Sequence, residues 1–116
     1  EHLPHHILRH AHGEIAIGRP ATDIDRAARQ VLERAGLGEA FSHGTGHGLG
    51  LEVHERPRLS KHRPELPAEP LAAGMVFTLE PGAYLEGWGG ARIEDDVAMT
   101  NGGPEWLTDV PRLWPA

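Results

Sequence analysis

At 116 residues the chain is one domain or part of one, with room for a modest core. A net charge of −6 without any basic run excludes a nucleic-acid surface, and no apolar stretch approaches the roughly 20 residues that span a bilayer. Cysteine is absent, which excludes disulfides and thiolate ligands and fits a cytoplasmic location.

Residues 3 to 17 favour a first helix, with Pro4 suited to its first turn and Leu3, Ile7, Leu8, Ala11, Ile15 and Ala16 at helical spacing. His2, His6 and His10 stack on one face of it and are read as a solvated polar face. Gly18-Arg19-Pro20 breaks this helix, and Thr22 followed by Asp25 predicts a capping box opening a second one. Ile24, Ala27, Ala28, Val31, Leu32 and Ala35 form its apolar face, and Gly36 and Gly38 end it. Its charges, Asp23, Arg26, Arg29, Glu33 and Arg34, are expected on the solvated side.

The next stretch, HGTGHGLGLEVHE, carries His43, His47 and His54 with four glycines among them. Imidazole ligates transition metals and moves protons near neutral pH, and glycine permits close backbone approach. The stretch therefore reads as a site rather than as packing. Residues 56 to 73 hold Pro57, Pro64, Pro67 and Pro70, which predicts a loop, with neither helix nor central strand, forming a functional edge or lid.

A strand-rich tail begins at Gly74. The run 75–79 is a short apolar strand stopped by Pro81-Gly82, and 91–99 is β-like, with Ala91, Ile93, Val97 and Met99 on one face and Arg92, Glu94 and Asp96 on the other. Asn101-Gly102-Gly103-Pro104 predicts a turn, with 105–108 as the closing strand of a hairpin. Leu49, Leu51 and Tyr84 are read as core-packing residues.

Glu80 ends one apolar strand, and Glu94 lies within the second. A carboxylate in such a strand faces water, is paired, or binds a cation. With the histidine run, the two glutamates supply one imidazole and two carboxylates from three elements. That donor mixture suits Mn²⁺, Co²⁺, Fe²⁺ or Zn²⁺ better than Ca²⁺.

The stretches HGTGHGLGLEVHERP, GMVFTLEPGAY and GARIEDDVAMT together resemble the C-terminal half of the pita-bread metallopeptidases, which include Xaa-Pro aminopeptidase, Xaa-Pro dipeptidase and methionine aminopeptidase. The Arg92-Ile93-Glu94-Asp95 form is closer to the proline-specific branch. The resemblance implies an α/β (α+β) fold with two helices on a curved, mostly antiparallel sheet. It implies metal-dependent hydrolysis of N-terminal Xaa-Pro-type peptide bonds, on a short peptide substrate. By position it implies that His47, Glu80 and Glu94 are metal ligands, with Glu80 also shuttling a proton. His54 matches a residue that hydrogen-bonds the substrate carbonyl, His43 one that lines the substrate pocket, and Arg92 one beside the metal centre. Mn²⁺ or Co²⁺ is the expected cofactor, with Zn²⁺ or Fe²⁺ as further candidates.

The family site holds two ions and also uses two aspartates N-terminal to the matched segment, and this chain shows no counterpart. Asp23 and Asp25 are expected in the capping turn of the second helix. One ion or none is therefore expected here, and the chain, which begins at Glu1, reads as a single partial catalytic domain (1–20 first helix, 21–38 second helix, 41–116 metal-site strands and loops). Activity would then need an absent N-terminal half, and association with that half or a homodimer is expected. The alternatives are a non-catalytic peptide-binding or interaction module with a degenerate site, or a mononuclear metal hydrolase.

Overall fold

The computed structural model describes residues 2–111. In chain order it contains α1 (Leu3–Gly13), α2 (Ala21–Arg34), β1 (Gly46–Gly48), β2 (Glu55–Leu59), β3 (Val76–Leu79), β4 (Gly82–Leu85), β5 (Gly89–Arg92), β6 (Asp95–Thr100) and β7 (Gly103–Trp106). Five strands form a sheet in the order β2-β1-β3-β6-β7, and β4 and β5 form a separate hairpin. All pairings between these strands are antiparallel. This is the expected α/β arrangement of two helices and an antiparallel sheet. Among the described residues no helix is long and apolar enough to cross a membrane.

α1 stops at Gly13, short of the predicted end, because Glu14 and Ile15 close it with tight bonds to the carbonyls of Ala11 and His12 (3.2 and 3.1 Å). Ile15 still reaches the core from beyond the helix. α2 ends as its glycine predicts. Gly36 takes φ +76°, Leu37 N–H donates to the Leu32 carbonyl at 2.8 Å, and Gly36 N–H donates to that of Glu33 at 3.0 Å. These two bonds define a Schellman end. The core lies between the helices and the sheet, and joins Ile7, Leu8 and Ala11 to Ile24, Ala28 and Leu32, and these to Phe77, Leu79, Val97 and Met99.

The start of α2 differs from expectation. Pro20 is its N-cap and no side chain caps it, so Thr22 and Asp25 form no capping box. Asp25 lies beyond the first turn and points inward, only 1% exposed. Arg29, expected on the solvated side, is 8% exposed. Its Nε donates to Asp25 Oδ2 at 3.0 Å and its Nη2 to Oδ1 at 3.1 Å. The guanidinium also donates to the carbonyls of Phe41 (2.9 Å) and His43 (3.0 Å), and lies 4.2 Å over the Phe41 ring. Asp25 Oδ1 accepts from Thr45 N (3.0 Å) and Thr45 Oγ1 (2.9 Å). The i,i+4 spacing that suits an exposed ion pair here serves a buried one, because the segment 41–45 lies against that face.

The strand content also departs from expectation in two places. Residues 56–59, read as loop, belong to the edge strand β2. Gly48 pairs with Glu55 and His47 with Arg58, so Arg56 and Pro57 sit in a bulge where the ladder needs no Pro57 N–H. The far end of the following loop is anchored rather than loose. Gly18 N–H donates to the Leu71 carbonyl (2.7 Å), Leu71 N–H to that of Arg19 (2.8 Å) and Ala21 N–H to that of Glu69 (2.8 Å). The predicted strand 91–99 is divided between β5 and β6, with Ile93 and Glu94 as the connection. Within β6 the alternation holds, since Asp95, Val97 and Met99 are buried and the residues between them are half-buried. A β6–β7 hairpin forms as predicted, but its turn is only Asn101-Gly102 and β7 begins at Gly103, two residues before the expected strand 105–108, because Gly103 and Pro104 already pair with Thr100 and Met99.

Asp25→Ala leaves the Arg29 guanidinium buried without its counter-charge, at a cost of about 3–5 kcal/mol. The urea unfolding midpoint is expected to fall accordingly, and the double variant Asp25→Ala/Arg29→Met is expected to recover part of the loss.

Candidate metal centre

β1 is squeezed between β2 and β3, and its glycines make that approach possible. A Cβ on Gly46 would lie 1.8 Å from the Thr78 carbonyl oxygen, and one on Gly48 would lie 2.1 Å from that of Arg56. Both neighbours are backbone atoms, so any side chain would force the strands apart. His47, held between these glycines, presents its side chain from the middle of the strand.

Register then brings the polar groups together. Gly48 pairs with Phe77 and Phe77 with Val97, so the next row joins His47, Thr78 and Asp96 across three strands. Glu80 directly follows β3 and its carboxylate reaches Thr78 Oγ1, while Glu94 lies just ahead of β6 within electrostatic reach of Asp96. Phe77, Leu79 and Val97, of opposite parity, pack in the core.

The His47 ring is oriented by its own neighbour. Nδ1 lies 2.9 Å from the Gly48 carbonyl oxygen. A carbonyl only accepts, so Nδ1 carries the proton and the Nε2 lone pair is directed outward. Nε2 lies 3.3 Å from Glu80 Oε2. Two acceptors facing one another need a cation between them, either a proton or a metal ion. Two ligand atoms each about 2.1 Å from one ion stand about 3.0–3.4 Å apart at right-angled to tetrahedral geometry, so the separation suits a shared ion.

Glu80 is fixed at both ends. Its N–H donates to the Thr45 carbonyl at 2.6 Å, and its Oε2 accepts from Thr78 Oγ1 at 2.8 Å. The His54 ring centroid stands 4.2 Å from that of His47, on the exposed bend ahead of β2. Glu94 is exposed as a residue, but partial desolvation of its carboxyl, and then the negative charges of Glu80 and Asp96, raise it above its ordinary value, while Arg92 and His47 pull it partly back. His47, Glu80 and His54 are thus in direct proximity, with Glu94 and Arg92 in electrostatic reach.

His43 stands apart from this group. Its Nδ1 donates to the Gly44 carbonyl at 2.7 Å, and its ring meets Phe41 edge-on at 5.1 Å and Tyr84 at 5.6 Å. Its Nε2 is buried and finds no hydrogen-bond partner among the described residues. His47 and His54 border an open cleft of about 690 Å³ with Arg56 and Arg58, whereas His43 lines a neighbouring one of about 670 Å³ with Arg29 and Phe41. Leu51 and Tyr84, expected in the core, are exposed, because no layer covers the bend at 50–54 or the outer side of β4.

Sequence reasoning missed Thr45, Thr78, Asp96 and the Asp25–Arg29 pair. Strand parity was the available signal for two of them, since Thr78 stands two residues before Glu80 and Asp96 two after Glu94. The donor types fit a divalent ion of borderline softness. The geometry falls short of a complete site, because no group of three or more His, Cys, Asp or Glu side chains among the described residues is arranged to hold an ion.

With the fold and this site in view, comparison with known proteins defines the class. Residues 4–101 match the profile of metallopeptidase family M24, and the chain belongs to that family. It is similar to the putative dipeptidase YkvY of Bacillus subtilis, at 48% identity over 90 residues that cover 78% of this chain and 24% of that protein. It is also similar to an uncharacterized peptidase of Staphylococcus aureus, at 50% identity over 91 residues that cover 78% of this chain and 25% of the other. Among solved structures, a dipeptidase from Pyrococcus horikoshii superposes with a TM-score of 0.85 at 43% identity, over 95% of this chain and 30% of that one. A prolidase from Thermococcus sibiricus gives 0.86 at 42%, over 95% and 29%. An X-Pro aminopeptidase from Thermotoga maritima gives 0.85 at 40%, over 96% and 30%. The resemblance to the proline-specific pita-bread metallopeptidases is borne out. The chain spans about a quarter of the curated relatives' length.

The raised Glu94 carboxyl carries a stability prediction for the metal-free chain. An acid whose folded-state pKa is raised destabilises the fold above that pKa and ceases to do so below its unfolded value. Glu94→Gln is therefore expected to raise the thermal midpoint at neutral pH, and the gain is expected to vanish as pH falls through the ordinary carboxylate range. Paired melting curves across pH, in chelator, check this.

Proposed function

We propose that this chain, acting as a single partial catalytic domain, carries the histidine-and-glutamate portion of a divalent-metal peptidase site. The reaction is the metal-dependent hydrolysis of N-terminal Xaa-Pro-type bonds in short peptides. The observation that carries the reading is the 3.3 Å separation of His47 Nε2 and Glu80 Oε2, which a proton or a shared metal ion can bridge, with Nδ1 already turned to the Gly48 carbonyl. The carboxylate excess around Glu94 supports it, since the electrostatics favour a cation.

In this reading His47, Glu80 and Glu94 would hold Mn²⁺ or Co²⁺. The ion, when bound, polarises the scissile carbonyl and lowers the pKa of bound water. Glu80 accepts a proton on its carboxylate and returns it to the leaving amine. The exposed His54 ring donates to the carbonyl oxygen as charge develops there, and Arg92 contacts a substrate carboxylate. His43 lines the substrate pocket with its free Nε2. A bond to proline has no amide N–H, so recognition rests on ring shape and the carbonyl. The solved relatives, which include a prolidase and an X-Pro aminopeptidase, support this substrate class. Three ligands do not complete the family's pair of ions, so turnover requires carboxylates from outside these 116 residues, in an N-terminal half or a second copy. A cytoplasmic location accords with the lack of cysteine.

Cobalt titration by calorimetry tests this. The chain is expected to bind at most one Co²⁺, His47→Ala and Glu94→Gln are each expected to abolish binding, and Xaa-Pro dipeptides are expected to remain uncleaved by the isolated chain. A wild-type chain that takes up no Co²⁺ overturns the metal assignment. Two ions per chain with turnover overturn the need for outside carboxylates.

A further inference from the structure

Thr78 is a buried hydroxyl, 1% exposed, in a strand whose neighbours Phe77 and Leu79 are pure core. A threonine at such a position costs stability unless its hydroxyl is satisfied. Here it is satisfied in a way that fixes direction. His47 N–H can only donate, and it reaches Thr78 Oγ1 at 3.1 Å. The hydroxyl has a single proton, and that proton goes to Glu80 Oε2 at 2.8 Å. The chain of bonds therefore runs one way, from the His47 backbone through Thr78 to the Glu80 carboxylate.

We infer that Thr78 is a positioning residue: its hydroxyl holds Glu80 Oε2 in register with His47 Nε2, so that the two donors meet an ion as a preformed pair. The inference rests on the metal-site reading above. One side of Oε2 is taken by the Thr78 proton, and the oxygen also faces Nε2 at 3.3 Å. Rotation of the carboxylate away from His47 would break a charge-assisted bond. The same hydroxyl ties the strand bearing His47 to the residue that orients Glu80, so backbone and side chain of the two donors are linked through one atom. The β-branched side chain adds stiffness, because few χ1 values are open to it. Gly46 makes the approach possible, since its Cβ would stand 1.8 Å from the Thr78 carbonyl oxygen and 3.1 Å from Oγ1.

Thr78→Val keeps the shape and removes the hydroxyl, whereas Thr78→Ser keeps the hydroxyl. In the metal-free protein, amide hydrogen exchange at His47 is expected to accelerate at least about tenfold in Thr78→Val relative to the neighbouring strand amides, with protection restored in Thr78→Ser. Cobalt affinity is expected to fall about 10–100-fold in Thr78→Val and to stay near wild type in Thr78→Ser. Should the valine variant not fold, Thr78→Ala makes the same comparison. Unchanged His47 protection in the hydroxyl-free variant overturns the inference, as does unchanged cobalt affinity. If the wild-type chain takes up no Co²⁺, the metal reading fails, and with it the positioning of a donor pair, while the exchange measurement still reports separately whether Thr78 links His47 to Glu80.

Discussion

The geometry of the candidate site depends on one buried ion pair. Asp25 and Arg29 lie one turn apart on α2, and between them they serve a stretch of chain that has no regular structure of its own. The carbonyls of Phe41 and His43 accept from Arg29, and the N–H and hydroxyl of Thr45 donate to Asp25. A buried charge pair earns its place only when its remaining donors and acceptors are also satisfied. Here those extra bonds are what give 41–45 its path. Thr45 in turn accepts from Glu80 N–H, so the pair's influence reaches the candidate ligand through two successive hydrogen bonds.

Much of the fold was legible because it rests on short-range patterns. The spacing of Ile24, Ala28, Val31 and Leu32 marks the buried stripe of α2, and the alternation of Val97 and Met99 with the less buried Asp96, Ala98 and Thr100 marks the inner face of β6. The Gly36 stop reads directly as a left-handed residue past a helix end. What stayed hidden has long-range causes. An Asp–Arg pair at i,i+4 has the same spacing whether water or the segment 41–45 lies over it, so Arg29 could not be recognised as buried. Pro57 argues against a strand until it is known to occupy a bulge. The β4–β5 hairpin is glycine-rich and carries little apolar alternation, so no pattern announced it.

The candidate site divides along the same line. Its residue types were visible as the histidine run and as two glutamates in apolar surroundings. Their convergence was not, because His47 and Glu80 meet through the pairing of β1 with β3, at Gly48 and Phe77, which lie far apart in sequence. Only the resemblance to a known family joined them in advance. The supporting residues carried the weakest signal, since a threonine in a β-strand is ordinary. Thr78 becomes informative only once its hydroxyl is seen between a backbone donor and a carboxylate.

Rigidity is unevenly distributed among the candidate ligands. His47 is fixed by its Gly48 bond and by the close flanking strands, and Glu80 is pinned at its backbone and at its carboxylate. Glu94 instead sits on the two-residue connection between β5 and β6, outside the main ladder and in repulsive contact with the charges of Glu80 and Asp96. The His47–Glu80 separation is therefore set by the fold, while Glu94 lacks a comparable strand position. A cation near this face would offset the negative charges of Glu80 and Asp96 that raise the Glu94 carboxyl. Proximity alone does not make a metal site; this face differs from an ordinary acidic surface because two of its donors are held against each other before any ion binds.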